Sequence, residues 1–153
     1  MLKRIALGAI GVLLIVFVAD FFDVPDRVMF RMKAVDPLPE SAWVDGTLVG
    51  DYDMGDGLGV NQRLTLKSNG RFHCNWTGCL GDYGSTAGDW GRDGDMIYVS
   101  ASTATDMFLR SPLKNMKLVM HAEQPHLIPL DRLDFIDEHG DDTIRMVAFS
   151  PTN

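Results

Sequence analysis

The first pattern along the chain is an uninterrupted apolar run near the N-terminus. Residues Ile5 to Ala19 contain no polar side chain, and Lys3 and Arg4 stand directly before them. A short basic region followed by an apolar run is typical of a secretory signal or a signal anchor. No face of the run is polar, which argues against a buried helix of a soluble domain. We therefore predict an N-terminal hydrophobic helix over residues 1–22 that takes the chain to a membrane.

The residues at the end of this helix favour an uncleaved signal anchor over a cleaved signal peptide. A cleavage site needs small residues at the first and third positions before the cut. Ala19 suits the first position, but the large residue Phe17 then occupies the third. No cysteine follows the run to carry the lipid of a bacterial lipoprotein. Length is the weak point, since Ile5 to Phe22 would form about 27 Å of helix against a hydrocarbon core of about 30 Å. Cleavage therefore remains the alternative.

The charges that flank the helix are nearly balanced. Two basic residues precede the apolar run, and Arg27, Arg31 and Lys33 follow it closely. A very short N-terminal tail ahead of a first helix normally stays in the cytoplasm. We therefore expect the following domain to lie outside, joined to the helix by a juxtamembrane connector over residues 23–42.

From Trp43 onward the pattern changes to short alternating segments separated by turn residues, which is typical of β-strands. Asn69-Gly70 predicts a hairpin, because both residues tolerate the positive φ angles that tight hairpin turns need. Further turns are predicted at Thr77-Gly78 and from Arg92 to Asp95, and Gly140 is expected to end a short helix. The predicted elements are the strands Thr47–Tyr52, Val60–Lys67, Arg71–Trp76, Leu80–Trp90, Met96–Ser100, Met116–His121, His126–Ile128 and Thr143–Ser150, and a helix over Asp131–His139.

This order predicts a mainly β domain over residues 43–153, with one or two short helices. About eight short antiparallel strands at close spacing build either a small β-barrel or a β-sandwich. Gly81, Gly84 and Gly88 interrupt one predicted strand and indicate bends or bulges in it.

The chain has only two cysteines, Cys74 and Cys79. Their spacing, C-N-W-T-G-C, suits a tight hairpin closed by a disulfide, which requires an oxidising compartment and so supports export. The alternative is half of a metal site, which would need further Cys or His ligands at matching spacing. His73 is adjacent, but the other histidines are scattered, so we expect a disulfide.

The chain becomes acidic after the apolar run. All 21 acidic residues follow Ala19, against 12 of the 14 basic residues, so this part carries a net charge of −9. Such a charge argues against binding to nucleic acid or to anionic lipid. It permits a basic partner, although a solvated acidic surface is the more common meaning.

Three stretches of the chain resemble one protein family. The first is G-x-Y-x-x-G-D-G-L-G-x-N-x-x-L-x-L-x-x-N-G-x-F, from Gly50 to Phe72. The second is W-x-G-C-L-G-x-Y-G-x-x-x-G-x-W-x-x-x-G-D, from Trp76 to Asp95. The third, HLIPLDRLDFI from His126, looks like the family's return strand and helix. Together they resemble a group of small uncharacterised bacterial exported proteins with a lipocalin-like or META-like β architecture.

This resemblance covers most of the domain, from Gly50 to Phe135. It implies a bacterial exported protein with a lipocalin-like β domain over residues 43–153, and it brings no known activity. Cys74 departs from the family's pattern, which counts against a disulfide that the family would share.

Aromatic residues are the most informative candidates for a binding site. Trp76, Tyr83 and Trp90 fall in consecutive strand segments with glycine and serine between them, and Tyr52 lies in the first strand. Small residues beside large rings leave room for a ligand or a flat contact surface. The same rings would also fill a small barrel by packing alone. The four residues are therefore candidate ligand-binding residues, with core packing as the alternative.

The other reactive side chains form no recognisable catalytic or metal-binding motif. Asp51 and Asp53 precede the sequence GDGLG and Asp56 lies within it, but the order of a calcium loop and its closing glutamate are absent. The glycines lack the strand–loop–helix context of a nucleotide-binding loop. His121 and His126 flank a predicted turn and can approach each other across it, as surface residues rather than as a metal site. We predict no catalytic residue, no metal and no cofactor.

These patterns favour a non-catalytic binding module, anchored as a single-pass protein in the bacterial inner membrane with its domain facing the periplasm or the cell exterior. Its ligand would be a small apolar molecule or an envelope protein. The alternative is an inhibitor or immunity-type protein that blocks an envelope hydrolase or a toxin, since a basic target would suit the acidic domain. A hydrolase ranks last, because no catalytic pair can be assigned.

Overall fold

The computed structural model describes residues 36–55, 60–140 and 143–152. The predicted helix over residues 1–22, most of the predicted connector and Asp56 of the glycine-rich loop lie outside these ranges. Within them, no helix is long and apolar enough to cross a bilayer.

The described residues form eight antiparallel strands in a nearly closed barrel, which confirms the mainly β prediction and favours the barrel over the sandwich. Each strand pairs with its neighbours in the spatial order β7-β6-β5-β4-β3-β2-β1-β8. Leu127 on β7 and Phe149, just before β8, form an isolated bridge that joins the two edges of the sheet. The strands are β1 (Gly50–Gly55), β2 (Val60–Leu66), β3 (Arg71–Gly78), β4 (Gly81–Asp93), β5 (Met96–Ala104), β6 (Met116–His121), β7 (Gln124–Pro129) and β8 (Ser150–Pro151).

Short helices occupy the connections between these strands. The α-helices are α1 (Met107–Arg110), α2 (Leu133–His139) and α3 (Ile144–Val147), and 3-10 turns cover Gly46–Leu48 and Leu130–Arg132. The helix predicted over Asp131–His139 is therefore confirmed, with its first turn tightened to a 3-10 helix. Gly140 follows it with φ +84°, and its N–H donates to the carbonyl of Ile136.

Alternate residues along the strands point into the barrel, because successive side chains of a strand lie on opposite faces. A second, smaller cluster lies where α2 and α3 pack against the outer side of β7, formed by Ile128, Ile136, Ile144, Val147 and Ala148. The buried residues of the main core are Leu48, Tyr52, Met54, Leu64, Leu66, Phe72, Cys74, Trp90, Ile97, Val99, Phe108, Met116, Leu127 and Phe149.

The predicted strand over Thr143–Ser150 is wrong for most of its length. Ile144, Val147 and Ala148 are buried while Met146 is exposed, a spacing that belongs to one face of a helix. Only Ser150 of the predicted strand enters β8. The apolar stretch is too short for its period to be evident from the sequence.

The hairpin predicted at Asn69-Gly70 is confirmed, but its turn differs from the expected one. Only Gly70 has a positive φ angle, +75°. The N–H of Gly70 donates to the carbonyl of Lys67, and the N–H of Lys67 donates to the carbonyl of Arg71. Asn69 stabilises the turn through its side chain instead, since its Oδ1 accepts from the N–H of Arg71 at 3.1 Å.

The predicted disulfide between Cys74 and Cys79 is absent, and the turn predicted at Thr77-Gly78 is misplaced. β3 continues through Gly78, and the turn that follows consists of Cys79 and Leu80. The extended stretch from Cys74 to Gly78 spans roughly 13 Å at about 3.3 Å per residue, whereas a disulfide needs Cα atoms within about 7 Å. The two cysteines are not bonded to each other, so they no longer support an oxidising compartment.

One end of the barrel, which we call the Trp90 end, is covered by residues 36–49. Trp43 pairs with Arg92 on β4 through two backbone hydrogen bonds of 3.0 and 2.7 Å. The Arg92 guanidinium also forms an ion pair with Asp45, whose side chain is buried. The Nε1–H of Trp90 donates to the carbonyl of Lys67 at 2.9 Å. Packing, backbone pairing and charge together close this end.

Candidate functional site

The opposite end of the barrel, which we call the Trp76 end, is built from the end of β1, the start of β2, the end of β3 and helix α1. Trp76 is paired with Gln62 on one side and with Gly84 on the other. Its ring meets that of Phe108 on α1 edge to face, with centroids 5.7 Å apart. Phe108 is fully buried, so α1 fixes the position of the indole.

Gly84 is what allows α1 to come so close to β4. Its φ is +134°, and a Cβ at this position would lie 2.6 Å from the carbonyl oxygen of Thr105 and 3.2 Å from the Cβ of Asp106. Asp106, which precedes α1, itself has a positive φ of 48°. The close approach of this segment therefore depends on the missing side chain of Gly84.

A cavity of about 50 Å³ lies at the Trp76 end. The Nε1–H of Trp76 is buried and has no hydrogen-bond acceptor among the described residues. A buried donor without an acceptor is rare in native proteins, because leaving it unpaired costs about 1–3 kcal/mol. Residues lining the cavity are Met54, Gln62, Trp76, Phe108, Ser111, Pro112, Leu113, Lys114, Pro129, Asp131 and Arg132.

A larger groove of about 560 Å³ lies beside this cavity and shares Met54 and Gln62 with it. Its remaining lining is mostly polar and comes from Asp53, Gly55, Asn61, Arg63, Asn75 and Thr77. Arg63 and Asp53 are engaged with each other in a two-pronged ion pair at 2.8 and 2.9 Å. The pair holds the pKa of the Arg63 guanidinium above its usual value, mainly through the hydrogen bond to Asp53.

Two exposed cations, Lys114 and Arg132, line the small cavity together with one carboxylate, Asp131. Neither cation forms an ion pair with any described residue. The rim of the cavity is therefore locally positive, although the part of the chain after Ala19 carries a net charge of −9.

The structure separates the four aromatic residues that the sequence grouped as candidates. Only Trp76 lines the cavity. Tyr52 and Trp90 lie in the core, 3% and 1% exposed, and both have satisfied polar atoms. The hydroxyl of Tyr52 donates to the carbonyl of Leu48 at 2.9 Å. Tyr83 is half-buried on β4.

Tyr52 is tied to the Trp90 end by its environment as well. Burial, and to a lesser degree the negative charge of Asp45, raise the pKa of Tyr52 to about 12. Its hydroxyl therefore stays protonated at any physiological pH and acts as a hydrogen-bond donor within the core.

Sequence inspection missed the residues that complete the Trp76 end. Phe108, Leu113 and Lys114 come from a stretch that looked irregular, and Arg132 from a predicted helix. No motif in the sequence marks Lys114 or Arg132 as part of a site.

The histidines and the carboxylates considered as possible metal ligands make contacts within the fold. His121 and His126 do approach each other across the β6–β7 turn, with ring centroids 5.7 Å apart, and His126 is buried with its Nδ1 2.9 Å from the Ser150 hydroxyl. Asp51, from the carboxylates beside the glycine-rich loop, accepts a hydrogen bond from the Thr65 hydroxyl at 2.6 Å. In the described ranges, no three His, Cys, Asp or Glu side chains are placed to hold a metal ion.

Comparison with protein-family models, with curated proteins and with solved structures finds no match for this chain. Its function is therefore inferred from the chemistry of its own residues.

Proposed function

We propose that this protein is a non-catalytic binding module that takes a small apolar or amphiphilic ligand at the Trp76 end of its barrel. Residues 1–22 hold it in the bacterial inner membrane as a single-pass anchor, and the domain faces the periplasm or the cell exterior. The likeness to lipocalin-like or META-like exported proteins belongs to the same proposal, since it implies an exported β domain.

The buried, unpaired Nε1–H of Trp76 is the observation that carries this proposal. The donor sits on a residue that lines a cavity, and Met54, Phe108 and Leu113 contribute apolar side chains to the lining of the same cavity. Ligand sites in proteins typically combine apolar walls with a few polar groups that fix orientation. The equivalent donor of Trp90 is satisfied by the protein itself. Within the described residues, the buried side-chain donor left without an acceptor is thus the one at the Trp76 end.

The test uses the indole N–H resonances of the full chain, purified in detergent micelles and labelled with ¹⁵N. Three resonances are expected from the three tryptophans, and Trp76→Phe identifies the one of interest. Titration with the neutral amphiphiles hexanamide and hexan-1-ol should shift the Trp76 resonance saturably and leave that of Trp90 in place. If no amphiphile, neutral or anionic, shifts it, or if all three resonances move together, the binding proposal fails.

The membrane part of the proposal has a separate test. In intact cells with a permeabilised outer membrane, added protease should digest the domain while a cytoplasmic control protein survives. The full-length chain should fractionate with the membrane, and removal of residues 1–22 should release it. If the domain is protected from the protease, it lies in the cytoplasm and the proposed orientation is wrong.

A second candidate function, an inhibitor of an envelope hydrolase or a toxin, is favoured by the tip of the β3–β4 hairpin. Leu80 is 90% exposed there, in a turn position where polar residues or glycine are usual. A protruding apolar side chain suits insertion into an enzyme cleft. Cells lacking the gene should become sensitive to muramidase, and a Leu80→Ser variant should fail to restore resistance. A Met120→Ser variant, altered at another exposed apolar residue, should restore it.

A further inference from the structure

The cavity at the Trp76 end carries information about which ligand it takes. We propose that it binds the carboxylate of a small aliphatic acid, with the Nε1–H of Trp76 donating to one carboxylate oxygen and with Lys114 and Arg132 neutralising the charge. This inference rests on the proposed function, because both place the ligand in the same cavity.

The unpaired indole sets the first requirement for the ligand. An indole N–H is a donor only, so the ligand must present an acceptor at that point. A carboxylate oxygen is a stronger acceptor than a neutral carbonyl, because charge-assisted hydrogen bonds are roughly twice as strong as neutral ones. A hydrocarbon without an oxygen would leave the buried N–H of Trp76 unsatisfied.

The charges at the rim set the second requirement. Among the described residues, four cations pair with carboxylates, whereas Lys114 and Arg132 at the cavity do not. Asp131 is the one carboxylate that lines the cavity in the part of the chain that the structure describes, so the rim carries a net positive charge there. A guanidinium and an ammonium group together match a carboxylate, which both bind through several N–H donors. An anionic ligand therefore fits better than a cationic one.

The size of the cavity sets the third requirement. About 50 Å³ exceeds the share of one water molecule, about 30 Å³ in the liquid, and matches a carboxylate group rather than a bulky headgroup. Met54, Leu113 and Pro129 provide apolar walls for the first carbons of a chain. The cavity is open to solvent on one side, which leaves room for the remainder of the chain. A short aliphatic chain completes the ligand.

The test compares hexanoate with hexanamide, which have the same length and shape but differ in charge. Both are titrated at pH 7 into the full chain in detergent micelles, and the Trp76 indole resonance reports binding. Hexanoate should bind at least about fivefold more tightly than hexanamide. Lys114→Gln and Arg132→Gln should each weaken hexanoate binding about three- to fivefold and leave hexanamide binding unchanged.

Two matched variants control for the sign and the location of the charge effect. Asp131→Asn removes a negative charge from the rim and should strengthen hexanoate binding about two- to fivefold. Arg110→Gln removes an exposed positive charge that does not line the cavity and should leave both affinities unchanged. An unshifted Trp90 resonance in each variant verifies that the barrel remains folded.

The outcomes separate this inference from the proposed function. If hexanamide binds at Trp76 as tightly as hexanoate, the carboxylate assignment is overturned while the binding module stands. If neither compound moves the Trp76 resonance, both proposals fail. If Arg110→Gln weakens hexanoate as much as Lys114→Gln does, the preference for the anion comes from overall charge and the assigned residues are wrong.

Discussion

The two ends of the barrel each contain a tryptophan, and the two residues have different roles. Trp90 is almost fully buried, its Nε1–H is bonded to Lys67, and residues 36–49 cover it. Trp76 is partly exposed, its Nε1–H is buried without an acceptor, and a cavity lies beside it. The residue type and the barrel are the same in both cases. What distinguishes packing from candidate function is whether the protein satisfies the polar atom of the ring.

The largest effect is expected from a change between the two ends, at Gly88. A Cβ at this position would lie 2.0 Å from the carbonyl oxygen of Ser100, in the backbone of the paired strand. Gly88→Ala should therefore separate β4 from β5, unfolding the domain or destabilising it by more than about 4 kcal/mol.

Gly46→Ala is the matched control for this glycine. Nothing lies within 4 Å of a Cβ there, so the change in the free energy of unfolding should stay below about 1 kcal/mol. Urea denaturation followed by tryptophan fluorescence measures both variants. Equal stability of the two would contradict the close approach of β4 and β5 at Gly88.

The comparison itself is tested most directly by replacing each tryptophan with phenylalanine. Trp90→Phe removes a satisfied donor, leaves the carbonyl of Lys67 with only the N–H of Gly70 as its donor and opens a void, so it should cost about 2–4 kcal/mol. Trp76→Phe removes an unsatisfied donor and should cost less than about 1.5 kcal/mol. Equal losses in urea denaturation would mean that the two ends do not differ in the way we describe.

A smaller effect, and one that depends on pH, is expected from Asp45 at the covered end. The Thr47 hydroxyl at 2.7 Å is the main cause that holds the pKa of Asp45 below its usual value, and the Thr47 N–H and Arg92 act in the same direction against the effect of burial. A carboxylate whose pKa is lower in the folded state contributes stability above its unfolded pKa, near 3.8, and loses it as pH falls through the folded value.

Asp45→Asn should therefore be about 1.5–3 kcal/mol less stable than the wild type above pH 5. The difference should shrink as the pH drops below about 4, because the wild-type carboxylate then becomes protonated. Denaturation at a series of pH values measures it. A difference that stays constant down to pH 2 would show that the charge of Asp45 does not secure the covered end.

The smallest effect is expected from reducing agents, which should leave the melting temperature of the protein unchanged. Cys74 is fully buried near the middle of the barrel, and burial raises its pKa to about 12, whereas Cys79 is exposed at the hairpin tip. Iodoacetamide at pH 8 should therefore modify Cys79 rapidly and Cys74 only after unfolding. Mass spectrometry of the digested protein distinguishes the two sites. If neither cysteine is labelled and a reducing agent lowers the melting temperature, the two cysteines form a disulfide after all.

The strand content of the domain was predictable because its hairpins carry strong local signals. Met116–His121 was predicted with its observed bounds, and the turn at Asn69-Gly70 lies where its residues indicate. Boundaries failed where turn chemistry was unusual. The Cys79-Leu80 turn has neither glycine nor a polar residue at its centre, so the sequence predicts the turn at the preceding Thr77-Gly78 instead. The disulfide prediction depends on that misplaced turn.

The candidate site was only partly predictable, because its residues are distant in sequence. Trp76 is among the candidates, but Tyr52 and Trp90 are likewise aromatic residues in predicted strands. Only the three-dimensional partners of their polar atoms separate them. Phe108 and Lys114 lie in connections between strands and meet Trp76 through tertiary packing, which leaves no periodic trace in the sequence.

The join between the two edges of the sheet has a consequence for how the barrel folds. β8 pairs with β1, and the Thr152 hydroxyl donates to the carbonyl of Asp51, 101 positions earlier in the chain. All other strand pairs of the barrel are hairpins or near neighbours in sequence. Because contacts so distant form slowly, closure should be the late, rate-limiting event of folding. Until then the free edges of β1 and β7 expose unpaired backbone groups, and a folding chain can add a strand from another molecule there.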